Sequence, residues 1–381
     1  MIDFELSETQ KLIQQTARDF ARNELAPGAA ERERKGEFPA ELLQKMAGLG
    51  LMGVNVPERF GGTEAGVVSY VLAMMEIGAA CSSTAVTMGV TNMVAEIICK
   101  FGTEEQIRAH VPKLVSGEYL AGAFALTEPG CGSDAAALTT TARRAQDGGW
   151  ILDGNKQFIT SGAVAGVHVA WARTGGPGAK GISAFLVPAG TPGLIVGREE
   201  RKMGQRASNT VSLTFDGMKL PPDALLGEEN RGFRIAMVAL DGGRLGVGSM
   251  AIGIGQAALQ AAVAYAKERK TFGQRLADHQ AIQWMLADSA TELDAARLLI
   301  LRAARLKELD RPFTREASMA KLFATEAANR VCSRAVQVHG GYGYVDEYPV
   351  ERFFRDCRVT TIYEGASEIQ RMVIARSLLE E

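Results

Sequence analysis

The sequence predicts an α+β chain of three parts, with a β-rich region between two helical regions. Apolar residues recur at helical spacing up to about residue 120 and again from about residue 230. Between these limits, short runs rich in Val, Ile, Phe and Trp alternate with Gly, Pro and Asp, which is typical of strands joined by turns. We therefore predict an N-terminal all-α domain (1–120), a middle β-sandwich or barrel domain (121–229) and a C-terminal four-helix bundle domain (230–381).

Two capping-box patterns mark helix starts in the N-terminal region. Ser7 with Gln10, and Thr103 with Gln106, each place a hydroxyl three residues before an amide. The helix that follows Thr103 is expected to end near Gly117. The apolar run 67–98, which is rich in small residues, is expected to be helical as well.

Four strands are expected in the middle region from its β-branched and aromatic content, and a glycine-rich surface loop is expected at 175–178. The strands are residues 150–152, 167–171, 182–187 and 211–215.

Long helices are expected at 278–309 and 316–338 in the C-terminal region. The uncharged segment 245–266 before them is long enough to cross a bilayer. It contains Ser249 and Gln256 among many Gly and Ala residues, so we interpret it as a helix buried in a bundle and expect no membrane span.

Composition argues against several classes of function. The formal net charge is −2, and no Lys/Arg cluster is long enough to follow a phosphate backbone, so nucleic acid is not an expected partner. The His and Cys residues are scattered without metal-ligand spacing, so no metal site is expected. The dispersed cysteines, and an N-terminal sequence without a secretion signal, predict a cytoplasmic protein.

The segment 361–371 contains the most informative side chain. Glu364 precedes Gly365 on a short turn beside Tyr363, and the capping-box spacing of Ser367 and Gln370 predicts a helix that begins at Ser367. A carboxylate held at the mouth of a helix is suited to removing a proton, whereas a solvated loop residue is the alternative interpretation.

Other segments indicate a nucleotide-like ligand, and each has a structural alternative. The Gly-rich loop 127–134 could direct N–H groups at an anion or a heterocycle, or only link two domains. Segments 269–273 and 337–343 could bind a pyrophosphate, or be an ordinary last-turn cation and a C-cap. Residues 253–258 match the nucleotide-binding pattern GxGxxA but follow no strand, which argues against a Rossmann site.

Five motifs occur in one order along the chain. They are Thr-Glu-Pro-Gly-x-Gly-Ser-Asp (127–134), aromatic-Ile-Thr (158–160), Arg-x-x-Phe-Gly (269–273), Gln-x-x-Gly-Gly (337–341) and Tyr-Glu-Gly-x-Ser-Glu (363–368). With the α–β–α division, they resemble the acyl-CoA dehydrogenases from about Phe4 to Leu379. The chain is most similar to the short-chain branch, and residues 173–178 and 339–342 are also similar to isobutyryl (short branched-chain) members.

The resemblance implies FAD bound non-covalently between the middle domain and the C-terminal bundle. The residues that match the family's contacts to the flavin and the pyrophosphate are Phe124, Leu126, Thr127, Gly132, Ser133, Phe158, Ile159 and Thr160, and the cofactor contacts that follow the base are matched by Ala366, Ser367 and Glu368. Those that match its contacts to the adenine dinucleotide are Arg269, Lys270, Thr271, Phe272, His279, Gln280, Gln337, Val338, His339, Gly340 and Gly341. In relatives this second set comes from a neighbouring subunit, so the resemblance implies a homotetramer built as a dimer of dimers.

The resemblance also implies that Glu364 is the catalytic base. Some relatives place the base at the position of Gly243, which has no side chain here. Glu364 would remove the α-proton of an acyl-CoA while the β-hydrogen passes as hydride to flavin N5, giving a trans-2-enoyl thioester and reduced FAD. Electrons would then pass to an electron-transferring flavoprotein, as in fatty-acid β-oxidation or branched-chain amino-acid catabolism. The residues that match substrate contacts are Ser133, Asp241, Arg244 and Gly365.

Three positions depart from the family pattern. Phe158 stands where tryptophan is frequent, at the flavin edge expected to face the electron acceptor. Ala366 replaces a common threonine and removes one hydroxyl contact. His339 stands where many relatives have an apolar residue, and we interpret it as structural. Burial beside Tyr363 is expected to raise the pKa of Glu364 toward the working pH.

Two other classes of function fit the same residues. A flavin acyl-CoA oxidase would pass electrons to oxygen, and a non-catalytic FAD-binding protein would keep the fold without turnover. The large acyl-CoA oxidases carry an extra C-terminal domain, and nitroalkane-type relatives have an aspartate in place of Glu364, so the residues favour the dehydrogenase. Acyl length and branching stay open, because pocket depth depends on packing among residues such as Met88, Val90 and Met93.

Overall fold

The N-terminal part of the chain is entirely helical in the computed structural model, which describes residues 5–380; Phe4, where the resemblance begins, lies outside them. Both predicted capping boxes, at Ser7 and at Thr103, are confirmed with the hydroxyl and amide bonded reciprocally to the backbone. The helices of this part are α1 (Glu8–Phe20), α2 (Ala29–Lys35), α3 (Ala40–Gly48), α4 (Val67–Ala80), α5 (Ser82–Phe101) and α6 (Glu104–Val115).

The middle part is one eight-stranded sheet with the order β6-β7-β3-β2-β4-β5-β8, in which β1 pairs with β4. Its strands are β1 (Gly122–Ala125), β2 (Thr141–Arg144), β3 (Trp150–Thr160), β4 (Val167–Arg173), β5 (Ile182–Pro188), β6 (Leu194–Glu199), β7 (Thr210–Leu220) and β8 (Leu225–Leu226). The four predicted strands are parts of β3, β4, β5 and β7. The other four were missed because β1, β2 and β8 are short and β6 is mostly exposed.

The C-terminal part returns to helices, so the predicted α–β–α fold class is confirmed. A small hairpin, β9 (Lys270–Thr271) and β10 (Gln274–Arg275), joins its first two helices. The helices are α7 (Gly232–Glu268), α8 (Gln280–Glu308), α9 (Thr314–His339), α10 (Val350–Arg358) and α11 (Ser367–Leu379). Helices α7, α8 and α9 pack against one another, and α11 packs on α9 as a fourth.

Helix α7 is the central element of the molecule. It contacts α4 and α5 on one side and α8 and α9 on the other. A Cβ at Gly253 would collide with the Met75 backbone, and one at Gly248 would collide with the Ile300 side chain, so glycines let these helices approach closely. By length and composition α7 could cross a membrane, but 67% of its most apolar window is buried inside the protein. This burial agrees with the interpretation of 245–266 as a core helix.

Candidate active site

Glu364 lies on a turn that the side chains of two helices hold in place. Glu364 and Gly365 both adopt left-handed backbone conformations, with φ of 53° and 86°. The Gln370 amide donates to the carbonyls of Glu364 (3.3 Å) and Gly365 (2.8 Å), and Lys321 Nζ donates to the Gly365 carbonyl (2.9 Å). A left-handed glutamate is uncommon, so these bonds stabilise a conformation that the turn alone would not favour.

The predicted capping box at this turn is wrong, although α11 does begin at Ser367. Ala366 is the N-cap residue and offers no side-chain cap. The Ser367 hydroxyl donates instead to the Glu326 carboxylate (2.7 Å), and the Gln370 side chain turns back to the carbonyls before the helix. Spacing predicted the helix start but not the partners, which belong to α9 and to the turn itself.

The carboxyl group of Glu364 lies against α7 at Gly243. A Cβ built on Gly243 would stand 2.5 Å from Glu364 Oε2 and 3.2 Å from Met93 Sδ. Oε2 is buried and has no hydrogen-bond partner among residues 5–380. Burial raises the pKa of Glu364 to about 7, while the charges of Lys321 and Arg244 act in the opposite direction. The expected rise of this pKa is therefore present, and Oε2 is available to accept a proton.

The Tyr70 hydroxyl lies against α7 about one helical turn beyond Gly243. A Cβ built on Gly246 would stand 2.5 Å from the Tyr70 hydroxyl, and one on Gly89 would stand 3.5 Å from it. Tyr70 extends from α4 and is buried, and its pKa is raised by burial first and then by the charges of Glu96 and Glu364. Of the pocket residues named from the sequence, Met88, Val90 and Met93 are all buried on α5. Helices α4, α5 and α7 thus pack against one another beside the carboxylate.

The predicted substrate contacts Asp241 and Arg244 form a partly buried ion pair on α7. Arg244 Nη1 donates to Asp241 Oδ1 at 2.5 Å and to the Ser318 hydroxyl at 3.1 Å. The Thr314 hydroxyl donates to the other Asp241 oxygen at 2.6 Å. This network fixes the guanidinium near enough to Glu364 for its charge to lower the pKa of the carboxyl group.

The loop 127–134 is anchored by a buried ion pair that the sequence did not reveal. Lys156 Nζ donates to Glu128 Oε1 (2.9 Å) and to the Leu126 carbonyl (3.2 Å), and both charged side chains are almost fully buried. Glu128 also accepts from the backbone N–H groups of Thr139 and Thr140, and its pKa is lowered to about 2 by Lys156 and these hydrogen bonds, against the effect of burial.

This anchor brings two of the predicted flavin segments together. The Gln157 N–H donates to the Thr127 carbonyl at 2.9 Å, which joins the end of β3 to the loop. Phe158 is 63% exposed with φ of 57°, while Ile159 is buried and Thr160 half-buried. Phe124 packs on Trp171 and Leu126 is buried, whereas Gly132 and Ser133 are exposed at the tip of the loop.

The predicted dinucleotide segments meet at a different place, around a pocket of about 740 Å³. Of the predicted residues, the pocket is lined by Arg269, Thr271, Gln337, Val338, His339, Gly340 and Gly341. Lys270, Phe272, His279 and Gln280 do not line it and lie on the adjoining hairpin and the start of α8. His339 bonds the Ala335 carbonyl and stacks on Tyr265 at 4.3 Å, which agrees with its structural interpretation.

The two sites are far apart within one chain. Gly243, beside the carboxylate, and Arg269, at the pocket, lie about 39 Å apart along the single helix α7. Ala366 and Ser367 adjoin the Glu364 turn, and Glu368 is exposed on α11. A single cofactor beside Glu364 would not reach the pocket of the same chain.

The residues present fit a flavin dinucleotide. The Arg269 guanidinium is exposed, stacks 5.5 Å from the Tyr342 ring, and forms no ion pair with the part of the chain that is described. Positions Gly340 and Gly341, and likewise Gly130 and Gly132, have open space where a Cβ would stand. Cationic, aromatic and glycine-rich surfaces of this kind suit an anionic group joined to flat rings.

Sequence patterns missed Lys321, Lys156 and Tyr70. Each lies within a helix or strand rather than in a glycine-containing motif, and each reaches its partner across the fold. A lysine at a buried helical or strand position was the available signal, because Lys is rarely fully buried without a partner.

Comparison with known proteins finds similarity along nearly the whole chain. Family models described as acyl-CoA dehydrogenase N-terminal, middle and C-terminal domains match residues 7–118, 123–218 and 230–379. The chain is 51% identical to the mitochondrial short-chain specific acyl-CoA dehydrogenase of Bos taurus, over 99% of this chain and 91% of that protein.

Two solved structures are also similar to this chain over nearly its full length. Butyryl-CoA dehydrogenase from Megasphaera elsdenii superposes with a TM-score of 0.97 at 42% identity, over 99% of this chain and 100% of that one. A chain in the structure of the electron transferring flavoprotein of Acidaminococcus fermentans superposes with a TM-score of 0.98 at 43% identity, over 100% of both.

Proposed function

The chain belongs to the acyl-CoA dehydrogenase family of FAD-dependent oxidoreductases, and on that premise we propose that it oxidises short-chain acyl-CoA thioesters to trans-2-enoyl-CoA with Glu364 as the base. The observation that carries this proposal is the Glu364 carboxyl group itself. It is held by its turn against Gly243, with a buried, unpartnered oxygen and a pKa raised to about 7.

Glu364 acts by taking the α-proton onto its free oxygen. A general base is most effective when its pKa is close to the working pH, and burial supplies that match here. The loop 127–134 and the end of β3 would hold FAD, and the cofactor would supply the acceptor for the β-hydrogen as hydride. Lys321 and Gln370 hold the turn that carries Glu364, so the carboxyl group does not have to be ordered at the moment of reaction.

Tyr70 supports the preference for short chains. Asp241 precedes Gly243 on α7 and matches a pantetheine contact, so the acyl end of the substrate would extend the other way, toward Gly246. The Tyr70 hydroxyl occupies that side, one helical turn or about 5 Å beyond the carboxylate. A tyrosine at that position would limit the length of the acyl group, which supports butyryl or isobutyryl groups rather than long chains as substrates.

The acceptor and the assembly are further parts of the proposal. The exposed Phe158 at the end of β3 is a contact surface for an electron-transferring flavoprotein. The separation of Glu364 from the pocket at Arg269 supports a homotetramer, in which that pocket holds the dinucleotide of a flavin bound mainly by another subunit. We also propose a cytoplasmic location, which immunolocalisation in the source cell would test.

The test is a panel of acyl-CoA thioesters mixed anaerobically with the purified yellow protein. Butyryl-CoA and isobutyryl-CoA should bleach the flavin quickly, and octanoyl-CoA slowly. Reoxidation should be fast with an electron-transferring flavoprotein and slow with oxygen. Rapid formation of hydrogen peroxide in air would show an oxidase instead, and a flavin that no thioester bleaches would show a binding protein without this activity.

A further inference from the structure

Lys321 is a buried cation beside the turn that carries Glu364, and it forms no ion pair with any residue that the structure describes. Its side chain extends from α9, is 0% exposed, and donates from Nζ to the Gly365 carbonyl at 2.9 Å. Within residues 5–380 no carboxylate oxygen lies within 4.0 Å of this nitrogen. A charge buried on these terms is costly to folding, so its presence here points to a function.

The charged groups around Lys321 and Glu364 come from several helices. Glu364, Glu326 and Glu368 favour the ammonium, whereas burial and Arg244 oppose it, and the pKa of Lys321 is lowered to about 8. Two groups, Lys321 from α9 and Arg244 from α7, favour the Glu364 carboxylate, and Lys321 has the larger effect of the two. Tyr70 from α4 and Tyr363 from the turn are neutral near pH 7, since burial raises the pKa of both.

We propose that Lys321 is a positioning residue that keeps the Glu364 carboxyl group deprotonated when substrate covers the site. The proposal rests on the assignment of Glu364 as the base. Substrate that excludes water increases the cost of the carboxylate, and a buried cation offsets that cost without being screened by salt. Arg244 is already paired with Asp241 at 2.5 Å, whereas the Lys321 ammonium has, among the described residues, only a neutral carbonyl as its hydrogen-bond partner.

Gln370 provides a matched control, because it shares one role with Lys321 and lacks the other. Both side chains donate to the Gly365 carbonyl, at 2.8 Å and 2.9 Å, and both are fully buried. Only Lys321 is charged. Comparing Lys321→Met with Gln370→Leu therefore separates the charge from the support of the turn.

The experiment is the pH dependence of flavin bleaching by butyryl-CoA, measured on each holoenzyme from about pH 5.5 to about pH 9. Removing the ammonium raises the carboxyl pKa, so the acidic limb of the bleaching rate at saturating butyryl-CoA should move up by about one pH unit for Lys321→Met. Well below pH 7, the bleaching rate of this variant, expressed as a fraction of its own plateau, should be about tenfold lower than the same fraction for the parent. Gln370→Leu can lower the plateau but should leave the limb in place.

A limb for Lys321→Met that coincides with the parent would overturn the proposal, as would an equal shift in Gln370→Leu. Lys321→Gln replaces Lys321→Met if the latter does not fold. If neither neutral variant folds, Lys321→Arg decides, because a limb that moves despite the retained charge would contradict a role for the charge. Bleaching that persists in Glu364→Gln would instead show that the assignment of the base had failed.

Discussion

The carboxyl group of Glu364 packs directly against the backbone of Gly243 on α7. The carboxyl group of Glu364 stands where the side chain of residue 243 would begin, with Oε2 at 2.5 Å from the Cβ position. Some relatives place the base at the position of Gly243, and a side chain there would displace the Glu364 carboxyl group from its present position. The absence of a side chain at 243 therefore favours Glu364 as the proposed base.

Gly243→Ala should leave the protein folded and lower its activity. The methyl group meets the end of a flexible side chain, so the carboxyl group moves aside, and a displacement of about 1 Å can cost on the order of a hundredfold in kcat/KM. Gly242→Ala is the control, since its Cβ meets only Lys307 Nζ at 3.1 Å. Equal kcat/KM values for the two variants in the bleaching assay would refute the steric relationship.

Tyr70→Leu should extend the acyl preference toward longer chains. The shorter side chain would open space beside Gly246, where the Tyr70 hydroxyl now stands. Each additional methylene that the site accommodates is worth about tenfold or more in discrimination between acyl chains. We expect the rate with octanoyl-CoA to rise relative to butyryl-CoA by at least about tenfold. Tyr70→Phe removes only the hydroxyl and should change this ratio far less. A ratio that stays constant in Tyr70→Leu would place the end of the pocket elsewhere.

Arg269→Ala should weaken the retention of FAD. The guanidinium lines the 740 Å³ pocket and carries a charge that no described carboxylate neutralises, so its loss removes attraction for a pyrophosphate. The measurement is the FAD-to-protein ratio after gel filtration and dilution. Arg275→Ala, which removes an exposed arginine paired with Asp278 outside the pocket, should retain FAD as the parent does. Equal retention by both variants would contradict a cofactor role for Arg269.

Lys156→Met should destabilise the middle sheet and loosen the flavin loop. It leaves the Glu128 carboxylate buried without its cation, and breaking a buried pair costs about 3–5 kcal/mol in the free energy of unfolding. Denaturant unfolding measures this loss, and FAD retention should fall with it because Lys156 also bonds the Leu126 carbonyl. The exposed pair Arg144–Glu229 is the comparison, since Arg144→Ala should cost less than about 1 kcal/mol. A similar small cost for Lys156→Met would show that the pair does not hold the loop.

Local sequence was sufficient wherever one segment determines its own structure. Ser7 and Thr103 cap their helices as their spacing predicts, because both partners lie within one turn. The same spacing at Ser367 predicted the wrong bonds, because Glu326 on α9 competes for the hydroxyl. The importance of Glu364 could be inferred from its motif, whereas Tyr70, Lys156 and Lys321 could not, since each acts on a segment brought to it by tertiary packing.

The most direct test of the central claim is anaerobic mixing of Glu364→Gln with butyryl-CoA. The substitution keeps the size of the side chain but replaces one acceptor oxygen by an NH2 donor, so the side chain can no longer accept the α-proton. The variant should purify yellow, bind the thioester and show no bleaching of the flavin over minutes, while the parent protein bleaches at once. A variant that bleaches at a rate near that of the parent would show that another group removes the proton.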